Sequence, residues 1–153
     1  MTICTQNRAC LLGQIVDGVL HVNNVGRIVQ QCWQDIPKHF THAHLDEYII
    51  MPNHIHGIIF IANDSGTACR APTIEQFGQP VPGSIPTIVR SFKSAVTKNF
   101  NKLCQSHIKP LWQRNYWEHI IRDDEKLHSI REYIHNNPAQ WELDELYSVT
   151  QQG

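Results

Sequence analysis

The chain has 153 residues and a mass of 17.6 kDa, the size of one domain. Apolar residues supply 41% of it and the mean hydropathy is -0.35, which excludes a disordered or collagen-like chain. No apolar run nears the roughly 18 residues that span a bilayer. Net charge is -1, yet nine of the 13 Lys and Arg residues lie between Arg90 and Arg131, among four acids. A local anionic partner is therefore compatible with the neutral average. Five cysteines, an odd number without a Cys-x-x-Cys pair, argue against a disulfide framework and for a reducing compartment. Residues Met1 to Gln6 carry no basic stretch followed by an apolar one, so no signal peptide is visible.

In chain order, residues 2–6 form a short β-type run. Leu11 to Val16 and Val19 to Val22 flank Asp17-Gly18, a strong type I′ hairpin signal. Val25, Ile28, Val29, Cys32, Trp33 and Ile36 recur at helical spacing, with Asn23 or Asn24 as cap and Pro37 as stop. Leu45 to Met51 and His54 to Ile61 are β-prone and separated by Pro52-Asn53, which predicts an antiparallel pair. Residues 62–83 are rich in Gly, Pro, Ser and Thr and read as a long mobile loop within a single domain spanning 1–153. A helix follows from Ser84, with Pro86 in its first turn and an apolar stripe from Ile85 to Leu103. Leu111 to Ile121 is expected to be a strand. Asp123 caps a last helix, with Leu127, Ile130 and Ile134 inward and Pro138 as its end. Without the hairpin and last helix, the order is βαββαβ. The fold class expected is α+β, ferredoxin-like, with an inserted N-terminal hairpin and a C-terminal helix.

His54 and His56 are two apart on a predicted strand, so both point to one face and together suit a divalent ion. An isolated His-x-His is more often only a hydrogen-bonding pair. His39, His42 and His44 span a helix end and a loop and read as structural or surface residues. Tyr133 and Asn137 are four apart on the last helix and share a face. On spacing alone, they read as a boundary tyrosine and a C-terminal Asn.

Met51-Pro52-Asn53-His54-Ile55-His56-Gly57, Leu111-Trp112-Gln113-Arg114-Asn115-Tyr116-Trp117-Glu118-His119, Arg122-Asp123 and Tyr133-Ile134-His135-Asn136-Asn137-Pro138 stand in that order. In this, the chain resembles the single-tyrosine, His-hydrophobic-His transposases, and within them the REP-associated tyrosine transposases, from about Thr2 to Trp141. The resemblance implies a metal-dependent transposase, a bacterial cytoplasmic and nucleoid-associated enzyme. It would cleave and rejoin single-stranded DNA at hairpin or palindromic sites through a 5′-phosphotyrosine. It implies Tyr133 as nucleophile and His54, His56 and Asn137 as ligands of Mg²⁺ or Mn²⁺. Imidazole suits Mn²⁺ better. The DNA-binding candidates are Arg90, Lys93, Lys98, Lys102, Arg114, Tyr116, His119 and Arg122, with Trp112, Tyr116 and Trp117 as stacking candidates. A monomer or a homodimer fits. Members of the family enter with a basic arm and a longer first strand, so the strand here is expected to be short and DNA binding weaker than in an extended form. Two other readings stay open: a catalytically silent single-strand-binding domain, and a metal-dependent hydrolase without a covalent intermediate.

Overall fold

The computed structural model describes residues 1–62, 81–105 and 110–147. Most of the loop expected at 62–83 lies outside the described residues. Three strands form the central sheet in the order β1-β5-β4: β1 (Thr2–Cys4), β4 (Ala43–Ile50) and β5 (His54–Ile61), all antiparallel. The predicted hairpin is a separate two-stranded sheet, β2 (Gly13–Val16) with β3 (Val19–Val22). Asp17 and Gly18 have φ of 51° and 73°, the left-handed pair that a type I′ turn demands.

Helix α1 (Asn24–Gln34) is capped by Asn23, whose side chain accepts from the Gly26 amide. Pro37 does not end this helix. The break falls at Asp35, and Pro37 sits in the first turn of a new short helix, α2 (Ile36–His39), where its missing N–H costs nothing. Helix α3 (Ile85–Cys104) starts on Ser84 as expected, and helix α4 (Asp124–Asn136) on Asp123, which accepts from the Lys126 amide. A 3-10 turn, Asn137–Leu143, follows α4.

The expected strand Leu111–Ile121 is reduced to two bridges to the first strand, Thr5 with Trp112 and Thr2 with Trp117. Between the bridges, three steps from Thr2 to Thr5, the residue after β1, face five steps from Trp112 to Trp117. The surplus residues bow outward, and Lys93 fills the bow by donating to the carbonyls of Gln113 (2.9 Å), Arg114 (3.3 Å) and Asn115 (3.2 Å). Beyond Trp117, no further bridge to this edge forms among the described residues. Counting this interrupted edge, the order is the antiparallel four-strand arrangement of the ferredoxin-like βαββαβ unit, so the α+β expectation holds.

Alternation along β5 decides where the site lies. Ile55 joins the core with Ile3, Val29, Trp33, Ile88, Val89, Phe92 and Val96, under α1 and α3. Gly57 shares that face, and any Cβ there would run into the Trp33 ring. His54 and His56 therefore face the opposite side, where α4 and the following turn cover them. Arg131 of α4 clamps that layer to β4 by donating from Nε (2.9 Å) and Nη2 (2.7 Å) to Asp46. No helix among the described residues is long and apolar enough to cross a membrane.

Candidate active site and its metal-ligating residues

The two imidazoles meet nitrogen to nitrogen, His54 Nε2 lying 3.0 Å from His56 Nε2. Their outer nitrogens are held by polar groups. The Asn53 amide donates to the carbonyls of Arg8 (3.1 Å) and Leu146 (2.8 Å), which turns its oxygen toward His54. That oxygen can only accept, so His54 Nδ1 donates to it (2.7 Å) and His54 Nε2 is left with a bare lone pair. Thr2 Oγ1 lies 2.8 Å from His56 Nδ1 and can accept its proton, freeing the second Nε2. Such outer-nitrogen partners are what metal-ligating histidines carry. Both rings are buried, and burial drives their pKa values down, His54 to about 3 and His56 to about 4; the His56 charge further opposes protonation of His54. They stand neutral and ready to donate electron pairs.

The spacing in sequence gave no sign of a third group that the fold adds. The 3-10 turn returns the chain to the site and places the Asp144 carboxylate beside the pair. One ligand atom each of His54, His56 and Asp144 lies within 4.8 Å of the others. Asn137 Nδ2 donates to Asp144 Oδ2 (3.1 Å), while its own oxygen is buried without a hydrogen-bond partner. Two neutral imidazoles, a carboxylate and an orphaned amide oxygen fit a divalent ion. This His-His-Asp group could bind a metal.

Tyr133 arrives from α4 as expected. Its ring lies edge-on to His56 with centroids 5.2 Å apart, and its hydroxyl is 3.4 Å from His56 Nε2 and 3.5 Å from Asp144 Oδ2. Burial first, then the Asp144 charge, raise its pKa above the ordinary 10. The hydroxyl opens into a cavity of about 660 Å³ shared with His56, Trp117, His119, Asp144 and Arg8. That volume is ordinary for a small-ligand site.

The structure thus gathers His54, His56, Tyr133 and Asn137, with His119 on the same cavity wall. Arg122 lines an adjoining depression with His119. Arg90, Lys98 and Lys102 are exposed on α3, across the sheet from the imidazoles, and the structure does not bring them to the cavity. The Lys93 ammonium is occupied by the edge carbonyls and lies 5.7 Å from the Tyr116 ring centre. Arg114 is exposed on the bowed edge. Trp112 is core, which removes it from the stacking candidates.

No family model matches the chain. An uncharacterised protein of Haemophilus influenzae is 45% identical over 151 residues, 96% of this chain and 83% of that protein. A protein of the same organism named "Putative REP-associated tyrosine transposase" is 37% identical over 92 residues, 59% of this chain and 46% of its own length. Among solved structures, a REP-associated tyrosine transposase bound to a REP hairpin matches with a TM-score of 0.58 and 17% identity, over 91% of this chain and 64% of that one. The chain therefore spans about half of the named relative and about two thirds of the structural one. Over 92 residues the sequence is similar to a protein named as a REP-associated tyrosine transposase, and the fold is that of a solved member of that group.

Proposed function

We propose that the protein is a metal-dependent transposase that cuts and rejoins single-stranded DNA at hairpin sites, with Tyr133 as the nucleophile. The observation that carries this reading is the convergence of three side chains from separate elements: His54 and His56 from β5, Tyr133 from α4, with its hydroxyl 3.4 Å from His56 Nε2. A boundary tyrosine has no need of such a place, and a metal-water hydrolase has no need of the tyrosine.

His54, His56 and Asp144 would hold the ion, and Asn137 would orient Asp144 through its amide donor. Asp144 takes the third ligand position that the resemblance implies for Asn137. Bound there, a divalent ion supplies positive charge against a phosphate oxygen and against the transition state. Tyr133 Oη attacks phosphorus, the phosphorus–oxygen bond to the 3′ carbon's oxygen breaks, and the departing strand leaves with a 3′-hydroxyl. The other strand end remains as a 5′-phosphotyrosine, which conserves the bond for rejoining. The phenolic proton is released to solvent and the departing 3′ oxygen takes one up from it, while Asp144 Oδ2, 3.5 Å from the hydroxyl, would accept the hydrogen bond that orients it. Burial and the Asp144 charge both raise the pKa of the phenol, so Tyr133 stands protonated before the strand binds. His119, on the same wall, would meet the phosphate.

The test is cleavage of a labelled DNA hairpin with unpaired flanks, with Mn²⁺, with Mg²⁺ and with chelator. His54→Ala and His56→Ala should abolish cleavage and leave hairpin binding, because phosphate affinity comes from Lys and Arg. Cleavage that persists in chelator would reject the metal role.

A further inference from the structure

Three of the four tryptophans are buried: Trp33 at 1%, Trp112 at 6% and Trp141 at 9% exposure. Trp117 is 74% exposed, on the rim of the cavity into which Tyr133 opens. An indole left this bare is costly in water, since aromatic side chains carry large apolar area. Its backbone is fixed. The Thr2 amide donates to the Trp117 carbonyl (2.7 Å) and the Trp117 amide to the Thr2 carbonyl (2.9 Å). Thr2 also holds His56 through its hydroxyl. One residue therefore sets both the stance of an imidazole and the position of the exposed indole.

We propose that Trp117 is the stacking platform for an unpaired base of single-stranded DNA, seating one nucleotide so that its phosphate faces His56 and Tyr133. This rests on the DNA-cleaving function proposed above and names the subsite that aligns the strand. Two observations select a base over an apolar protein partner. The cavity beside the indole sets ionisable groups, among them Arg8, Glu118, His119 and Asp144, beside aliphatic ones such as Ile130 and Leu143, a mixed lining that suits a flat ring with polar edges. Its volume of about 660 Å³ is that of a small-molecule site rather than an extended protein interface. The indole needs only two side-chain torsions fixed to stack, and its main chain is already fixed. Stacking of this kind accepts any base.

The experiment uses the full chain carrying Tyr133→Phe, so that complexes persist, and a DNA hairpin with oligothymidylate flanks as probe. Binding is read by intrinsic tryptophan fluorescence and by anisotropy of a labelled probe. The expected result is quenching on binding that W117F removes, since the other three indoles are buried. W117A should bind roughly 5- to 150-fold more weakly, the range that stacking on one base supplies, and W117F should recover most of that loss. W117A should also lose cleavage in the Tyr133 background. Binding and quenching unchanged by W117A would overturn the proposal while leaving the transposase reading intact. A change of oligomeric state in W117A without DNA, with affinity unaltered, would overturn it in favour of a contact between copies. Failure of the parent protein to bind any hairpin probe would overturn the DNA reading and this inference with it.

Discussion

Acidification of the metal-free protein tests the electrostatics of the imidazole pair. In the unfolded chain, both histidines titrate near 6.5; in the fold, burial holds His54 near 3 and His56 near 4. At about pH 8 both are neutral in either state and contribute nothing. As pH falls below about 6.5, the unfolded chain takes up two protons that the folded one refuses. Stability must therefore fall with pH, at about 1.4 kcal/mol per unit for each histidine, until the folded values are reached. From pH 8 to pH 5 the two together cost about 4 kcal/mol, a large part of the roughly 5–15 kcal/mol of a typical domain. Urea unfolding at a series of pH values measures it. A His54→Ala/His56→Ala variant should lose most of the dependence, and Mn²⁺ should restore stability near neutral pH and fade as acid competes for the imidazoles. Stability that changes by less than about 1 kcal/mol between pH 8 and pH 5 would refute the burial argument.

Three further outcomes follow from the geometry. Asp144→Ala should reduce Mn²⁺ affinity more than Asn137→Ala, whose loss should be about 10- to 100-fold, as for an outer partner of a ligand; calorimetry that finds the reverse order would give the third ligand position to Asn137. Gly57→Ala drives a methyl into the Trp33 ring and should destabilise the fold by about 1–3 kcal/mol, read by urea denaturation. Asn53→Ala strips the donor from two carbonyls and the acceptor from His54, so it should cost about 2–4 kcal/mol and also weaken Mn²⁺ binding; loss of stability alone would show that His54 needs no such partner.

Much of the frame was legible because local chemistry agreed with the final fold. Asp17-Gly18 accepts left-handed angles, Asn23, Ser84 and Asp123 offer side-chain caps, and the alternation of His54, Ile55 and His56 assigns faces unaided. The edge at 111–121 departs from the expected strand because β-prone composition does not supply a partner, and only Trp112 and Trp117 bridge to the neighbouring edge. β1 is three residues long, and its ladder runs out. Lys93 misled in another way. Its charge suggested DNA, but the carbonyls that claim it belong to a bow visible only once the two ladders are counted. The exposed cations of α3 share a helix with one another but not a side of the sheet with the histidines. Asp144 left no trace in spacing, because the turn Asn137–Leu143, which contains Pro138, carries it back to the site, and its only sequence signal was an acid shortly after a helix stop.

The most direct test of the account is to trap and map the protein–DNA adduct. The protein is incubated with a cleavable hairpin and Mn²⁺, denatured, digested and analysed by mass spectrometry for a peptide carrying a nucleotide. The account predicts one modified residue, Tyr133, joined to the 5′ phosphate, with a 3′-hydroxyl on the released strand, and no adduct from Tyr133→Phe. Cleaved strands with free 5′ phosphates and no adduct would contradict it in favour of hydrolysis by water, and an adduct on Tyr116 or Tyr48 would contradict the assignment of the nucleophile.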